Sequence, residues 1–177
     1  FAWGIRTTII NKSKELMQLM DDSPYQFIKQ HQLSDLKPFL GFKHRTFNDT
    51  DLLYFIEFLK HHYQNHLSLE SAFFNDQTIL KTDSKASPSG GGSVGAGLNH
   101  FYNYFFSLED WPARTVKHIA SPQKNSTCKR LNMFLRWMIR NDNKGVDFGI
   151  WKKISPAGLI CPVDVHVARV ARKFKLL

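Results

Sequence analysis

Two side chains near the end of the sequence have the types that bond-breaking at a sugar carbon needs. Lys129 opens an apolar, Trp-bearing segment at residues 128–140, CKRLNMFLRWMIR. Asp164 stands just before a second helical pattern, VHVARVARKF, 35 positions further on. One amine and one carboxylate, each at an expected helix start, fit an attack on C1′ of a nucleotide. They equally fit an ion pair or two ordinary helix-end residues. To attack carbon the amine must be neutral, and burial, cationic neighbours such as Arg130 or a helix start favour that form. The carboxylate must stay ionised, and an N-cap aspartate accepting backbone hydrogen bonds does so. It can then stabilise oxocarbenium-like charge as a base departs, or orient the nucleophile.

Helices must position this pair. Ser126 or Thr127 is the expected cap of a helix running to Arg140, with Leu131, Phe134, Leu135, Met138 and Ile139 as its apolar surface. Lys129, Asn132, Arg136 and Arg140 recur three or four residues apart and share one polar stripe. That stripe fits a groove or phosphates. It also fits a solvated face with salt bridges to Asp142 and Asp147. In the last helix Val167, Val170, Ala171 and Phe174 form the expected buried side. His166, Arg169 and Lys173 form the other, suited to phosphate contact.

Upstream, helices are expected from about Thr8, behind Pro24, and from an Asn48 or Asp49 cap through DLLYFIEFLKHHYQN. Residues 69–74 read as a short helical piece, and residues 39–47 as a basic, aromatic connection. No sustained strand alternation appears. Residues 81–97, KTDSKASPSGGGSVGAG, read as a flexible Gly/Ser-rich loop. They lack the Lys-Ser/Thr of a phosphate loop, and SGGGS also resembles an engineered linker. LNHFYNYFFSLEDW reads as an aromatic helix. The expected fold is an all-α multi-helix bundle. It divides into an N-terminal helical part (1–80), the loop (81–97) and a basic helical part (98–177).

The chain has 177 residues and a formal charge of +9. Residues 1–98 carry ten basic and ten acidic side chains, whereas residues 99–177 carry fourteen and five, so the second half holds the whole excess. A polyanionic partner at that half follows from this asymmetry, and so does a merely basic, soluble surface. Cys128 and Cys161 are too few for an iron–sulfur cluster or a disulfide scaffold, which suits free thiols in the cytoplasm. No metal-ligand motif is present, since adjacent His61 and His62 do not make one. No apolar run is long enough to span a membrane. The chain begins at Phe1 and stops at Leu177 just after a helical pattern, so both ends read as cut.

The segment CPVDVHVARVARKFKLL resembles the part of the helix-hairpin-helix DNA glycosylase superfamily that carries its aspartate. The matching positions are Val163, Asp164, His166, Arg169 and Val170, with Lys175 where the family usually has Gly. The Gly-rich hairpin that usually bears the family's lysine is absent. The wide interval from Lys129 to Asp164 is closer to the archaeal 8-oxoguanine glycosylases. From FAWG through HRTF, CKRLNMFLRWM and VDFGIW, nearly the whole chain also resembles the bacterial family DUF2400.

The glycosylase resemblance implies a DNA-repair enzyme that flips a damaged nucleotide, such as an oxidised purine, from the duplex. It would need no cofactor and would act in the cytoplasm at the nucleoid. Lys129 would attack C1′ and Asp164 would assist, with or without strand nicking. Trp137, Trp151 and Phe148 would line the pocket. His166, Arg169, Lys173, Arg136, Asn132, Arg130, Lys117 and Arg45 would contact DNA, with His44 beside them. The alternatives are a non-catalytic nucleic-acid-binding protein on the same fold, or a structural or interaction protein.

Overall fold

The computed structural model describes residues 3–75 and 92–177. Among them helix predominates, and the only sheet is a two-stranded hairpin. The chain forms two compact units. One takes Phe1–Leu69 and Ser107–His118, and the other takes Glu70–Phe106 and Ile119–Leu177. The division expected from charge and the Gly-rich stretch differs from this. The chain leaves the first unit before that stretch and returns to it for one short segment, a crossing that composition does not record.

The first unit begins with α1 (Arg6–Leu19) and α2 (Pro24–Gln30), which has Pro24 in its first turn. Strands β1 (Lys43–His44) and β2 (Phe47–Asn48) pair around Arg45, whose φ of 56° is left-handed. Two residues per strand are too few for alternation to register in the sequence. Helix α3 (Asp49–Asn65) follows with Asn48 as its cap. The Asn48 side chain accepts from the backbone of Asp51, and the Asp51 carboxylate accepts from the backbone of Asn48. Both donors would otherwise lack partners at a helix start. Met20, Ile28, Phe39, Phe42, Phe47, Leu52 and Ile56 make the core, with Leu16, Leu19 and Trp3 packed against it.

The second unit holds α4 (Glu70–Phe73), α5 (Gly92–Phe105), α6 (Lys129–Ile139) and α7 (Val165–Lys173). The expected loop at 81–97 is corrected in part. Residues 81–91 lie outside the described residues, and 92–97 are helical. Val94, Leu98, Phe101 and Phe105 are all buried and recur at helical spacing, so burial overrides the low helix propensity of glycine. Phe73 stacks on Phe101 at 4.1 Å and meets Trp151 at a tilt at 5.6 Å, and Phe134 meets Trp151 edge-on.

Gly97 has a specific packing role. A β-carbon there would lie 2.5 Å from Cε1 of Phe74, a ring with no exposure, and 3.0 Å from the Phe73 carbonyl oxygen. Helix propensity alone predicts that Gly97→Ala stabilises by about 1 kcal/mol. The close approach of α5 reverses the sign, and we expect a loss of about 1–3 kcal/mol. Urea denaturation checks it, and a stabilised variant would contradict this packing.

Candidate functional site

Side chains from α5 fix the chain that leads into α6. Ser121 Oγ donates to Asn99 Oδ1 at 2.8 Å, and the Gln123 amide donates to the same oxygen at 3.2 Å. The Lys124 amine contacts the Tyr102 hydroxyl and lies 4.5 Å from its ring centre. The cap of helix α6 falls two residues later than Ser126 and one later than Thr127, the two expected caps. Cys128 takes the N-cap position in a left-handed conformation, φ 49°, and makes no side-chain cap. Ser126 instead accepts from the Cys128 amide at 3.2 Å. A non-glycine residue with positive φ is strained, and here it directly precedes Lys129. The Cys128 thiol is buried, which pushes its pKa up. Cys161 is exposed, and both cysteines are free.

Asp164 caps α7, accepting from the Val167 amide at 2.8 Å through Oδ1. Its Oδ2 accepts from the Lys129 amine. Two residues far apart in sequence, each at a helix start, therefore meet. The Lys129 side chain is 53% exposed and that of Asp164 25%, so solvent reaches the pair. The Lys129 hydrogen bond, followed by that from Val167, pulls the Asp164 carboxyl from its ordinary 3.8 down to about 2. The carboxylate thus stays charged near neutral pH. As it stands the contact is an ion pair. Transfer of a proton from the ammonium would make the amine a nucleophile, and the neighbouring carboxylate can hold developing positive charge.

The remaining sequence candidates separate by burial. Arg130, His166, Arg169 and Lys173 are exposed in the same unit as the pair. Asn132 is buried, and its Nδ2 donates to the Thr127 carbonyl oxygen at 3.0 Å, so it serves the helix start. Arg136 and Arg140 both reach the buried Asp147 carboxylate, which realises the salt-bridge reading for half of the polar stripe. Asp142 instead accepts from the Lys144 amide.

Trp151 is buried in the aromatic core of the second unit, Trp137 is half-buried and Phe148 is exposed. The expected apolar side of α7 is corrected. Val167 and Ala171 are half-buried, but Val170 and Phe174 are 51% and 72% exposed, because no described element covers that side. Arg45 and Lys117 are exposed on the first unit, whereas His44 is buried, with its Nε2 3.1 Å from the Trp3 carbonyl oxygen.

One cluster is missing from the sequence reading. In the first unit, fully buried Asp51 accepts from Thr115 Oγ1 at 2.8 Å and from Arg114 Nη1 at 2.9 Å. His118 Nε2 lies 3.2 Å from Asp51, misaligned for a hydrogen bond, with the Trp3 ring stacked over its imidazole. Burial pushes the His118 pKa down, and the Asp51 charge opposes this only in part. A histidine with a lowered folded-state pKa favours folding while neutral. Its contribution is full above the ordinary 6.5 and is lost as pH falls below that. We expect melting temperature to drop between about pH 7 and 5, with a smaller drop in His118→Phe. Equal drops in both proteins would assign the effect elsewhere, His62 included, since its pKa is also lowered by burial.

A family model described as a protein of unknown function (DUF2400) matches residues 1–177. The chain belongs to the DUF2400 family. No curated protein and no solved structure matches it. Among the described residues of this DUF2400 chain, no group of His, Cys, Asp or Glu is arranged to hold a metal ion. No described helix is long and apolar enough to cross a membrane.

Proposed function

We propose that this protein acts on DNA as a base-excising glycosylase with Schiff-base lyase chemistry. The supporting observation is the contact of Lys129 with Asp164, two helix-start residues far apart in sequence, at a solvent-reachable position. The strained residue before Lys129 and the basic side of α7 agree with that reading.

In this scheme the nucleotide is flipped so that C1′ faces the amine. The ammonium first gives up its proton to water, and Asp164 stays ionised. The amine nitrogen then bonds C1′ while the glycosidic C–N bond breaks, and the base leaves with the electron pair and takes a proton. Asp164 stabilises the positive charge on the sugar during this step. The nitrogen, now bonded to C1′, gives up a proton to water, O4′ takes a proton as the C1′–O4′ bond breaks, and the nitrogen lone pair forms an iminium between Lys129 and C1′. Loss of a C2′ proton and departure of the 3′-phosphate nick the strand. The substrate class is damaged duplex DNA, with an oxidised purine as the first lesion to try, and the site of action is the nucleoid.

Borohydride reduces such an iminium to a stable amine and fixes protein to DNA. Wild type should trap on at least one duplex from a panel of lesions and abasic sites, and Lys129→Ala should not. Duplex binding without trapping anywhere on the panel would sink the lyase scheme. Base release that survives in Lys129→Ala but is lost in Asp164→Asn would mark a monofunctional enzyme.

A second reading keeps the nucleic acid and drops the chemistry. It is favoured by the Lys129 amine being engaged in an ion pair and by the exposure of His166, Arg169 and Lys173. Binding without base release or trapping would select it.

A further inference from the structure

We propose that Asp147 is a positioning residue, holding Arg136 and Arg140 as a preset pair of guanidinium forks for the phosphates of a nucleic-acid strand. The inference rests on the nucleic-acid reading above and adds a residue that no part of the glycosylase scheme uses.

The Asp147 side chain has no exposure, whereas those of Arg136 and Arg140 are 41% and 48% exposed. Arg136 donates through Nε and Nη2 to Asp147 Oδ2, each at 3.3 Å. Arg140 Nε lies 3.5 Å from the same oxygen. Asp147 Oδ1 is buried without a partner among the described residues, so compensation of the carboxylate runs through Oδ2. A buried carboxylate requires a cation, and one arginine would neutralise it. Two are present, so the cluster carries a surplus positive charge.

Each guanidinium has five N–H donors, and the contacts to Asp147 use only the inner ones. Among the described residues neither guanidinium has another protein acceptor. The outer donors are therefore available to a ligand that accepts hydrogen bonds and carries negative charge. Phosphate is such a group, and guanidinium forks match its oxygens.

Backbone contacts, independent of the arginines, fix the carboxylate. The Asn141–Phe148 bridge folds residues 141–148 back onto the end of α6. The Phe148 amide donates to the Trp137 carbonyl at 2.7 Å, and the Trp151 amide to that of Met138 at 2.9 Å. Gly149, at φ 60°, lets Asn141 approach so closely that a β-carbon there would lie 2.5 Å from Asn141 Cβ. Anchored this way, Asp147 orders two long side chains before any ligand arrives, which lowers the entropy cost of binding. The arginines are one helical turn apart, a rise of about 6 Å, the scale of neighbouring phosphates along one strand. They lie in the half of the chain that carries the charge excess.

Asp147→Asn separates positioning from charge. It raises the net positive charge by one, so bulk electrostatics alone predicts tighter binding. Positioning predicts weaker binding. The probe is a fluorescein-labelled duplex carrying a tetrahydrofuran abasic site, with anisotropy followed against salt. We expect Asp147→Asn to raise Kd about tenfold and to flatten the salt dependence by about one to two phosphate equivalents. The double variant Arg136→Lys, Arg140→Lys keeps every charge but loses the forks, and it should weaken binding by a similar factor.

Asp147→Asn binding as tightly as wild type overturns the proposal. Should Asp147→Asn fail to fold, the lysine double variant decides, and unchanged affinity there overturns it. A wild-type protein that binds no duplex at all removes the nucleic-acid reading itself, an outcome distinct from wild-type binding with unaffected variants.

Discussion

Asp51→Ala should destabilise the first unit by about 3–5 kcal/mol. The carboxylate has no exposure and answers three donors: the Thr115 hydroxyl, the Arg114 guanidinium and the Asn48 amide. Truncation leaves the fully buried Thr115 hydroxyl without its acceptor, and that cost has no route to solvent. The start of α3 loses half of its reciprocal cap, a further cost of about 1 kcal/mol. Arg114 is 36% exposed, so it recovers hydration and tempers the total. Thr115→Val should cost about 1 kcal/mol in wild type and almost nothing in the Asp51→Ala background, because the orphaned hydroxyl is then gone. Denaturant titration with amide exchange across Asp49–Asn65 reads both effects. Additive losses, or a single loss under about 1 kcal/mol, would mean that the cluster is not a coupled network.

The contrast between this cluster and the Lys129–Asp164 pair explains what the sequence conveyed. Local rules worked at three helix starts and failed at α6, where Cys128 rather than Ser126 or Thr127 takes the cap position. The Asn48 cap of α3, Pro24 at the start of α2 and the Asp164 cap of α7 all follow from side chains that answer nearby backbone donors. Asp51 was visible only as the inner partner of the Asn48 cap, while Arg114, Thr115 and His118 lie more than sixty positions away. No spacing rule links them. The start of α5 was hidden for a different reason. Glycine lowers helix propensity, but Val94, Leu98 and Phe101 are buried, Phe101 stacks on Phe73 of α4, and Gly97 is needed where α5 meets Phe73 and Phe74. The exposed Val170 and Phe174 mark the reverse limit, since periodicity gives a face but not what lies against it. Lys129 and Asp164 were each legible as helix-start residues. Their convergence depends on the path of 140–164, which periodicity does not encode.

For the proposed chemistry the decisive contrast is between the two members of that pair. Lys129→Ala should reduce borohydride trapping to background, because no other atom takes over the bond from nitrogen to C1′. Asp164→Asn should leave some trapping but slow it by about a hundredfold to ten-thousandfold, the usual worth of a group that stabilises charge in the transition state. The shape of the pH profile is a separate constraint. Asp164 titrates at about 2, held there by Lys129 and the Val167 amide, so its folded form keeps the carboxylate charged well below the ordinary 3.8. It therefore contributes no acid limb above about pH 4. Wild-type trapping should therefore show no inflection from the carboxylate anywhere above about pH 4. Asp164→Asn should trap more slowly across that whole range, because the anion that faces the reacting carbon is gone at every pH. A variant that traps as fast as wild type would mean that the Lys129–Asp164 contact is an ion pair at rest and takes no part in the reaction.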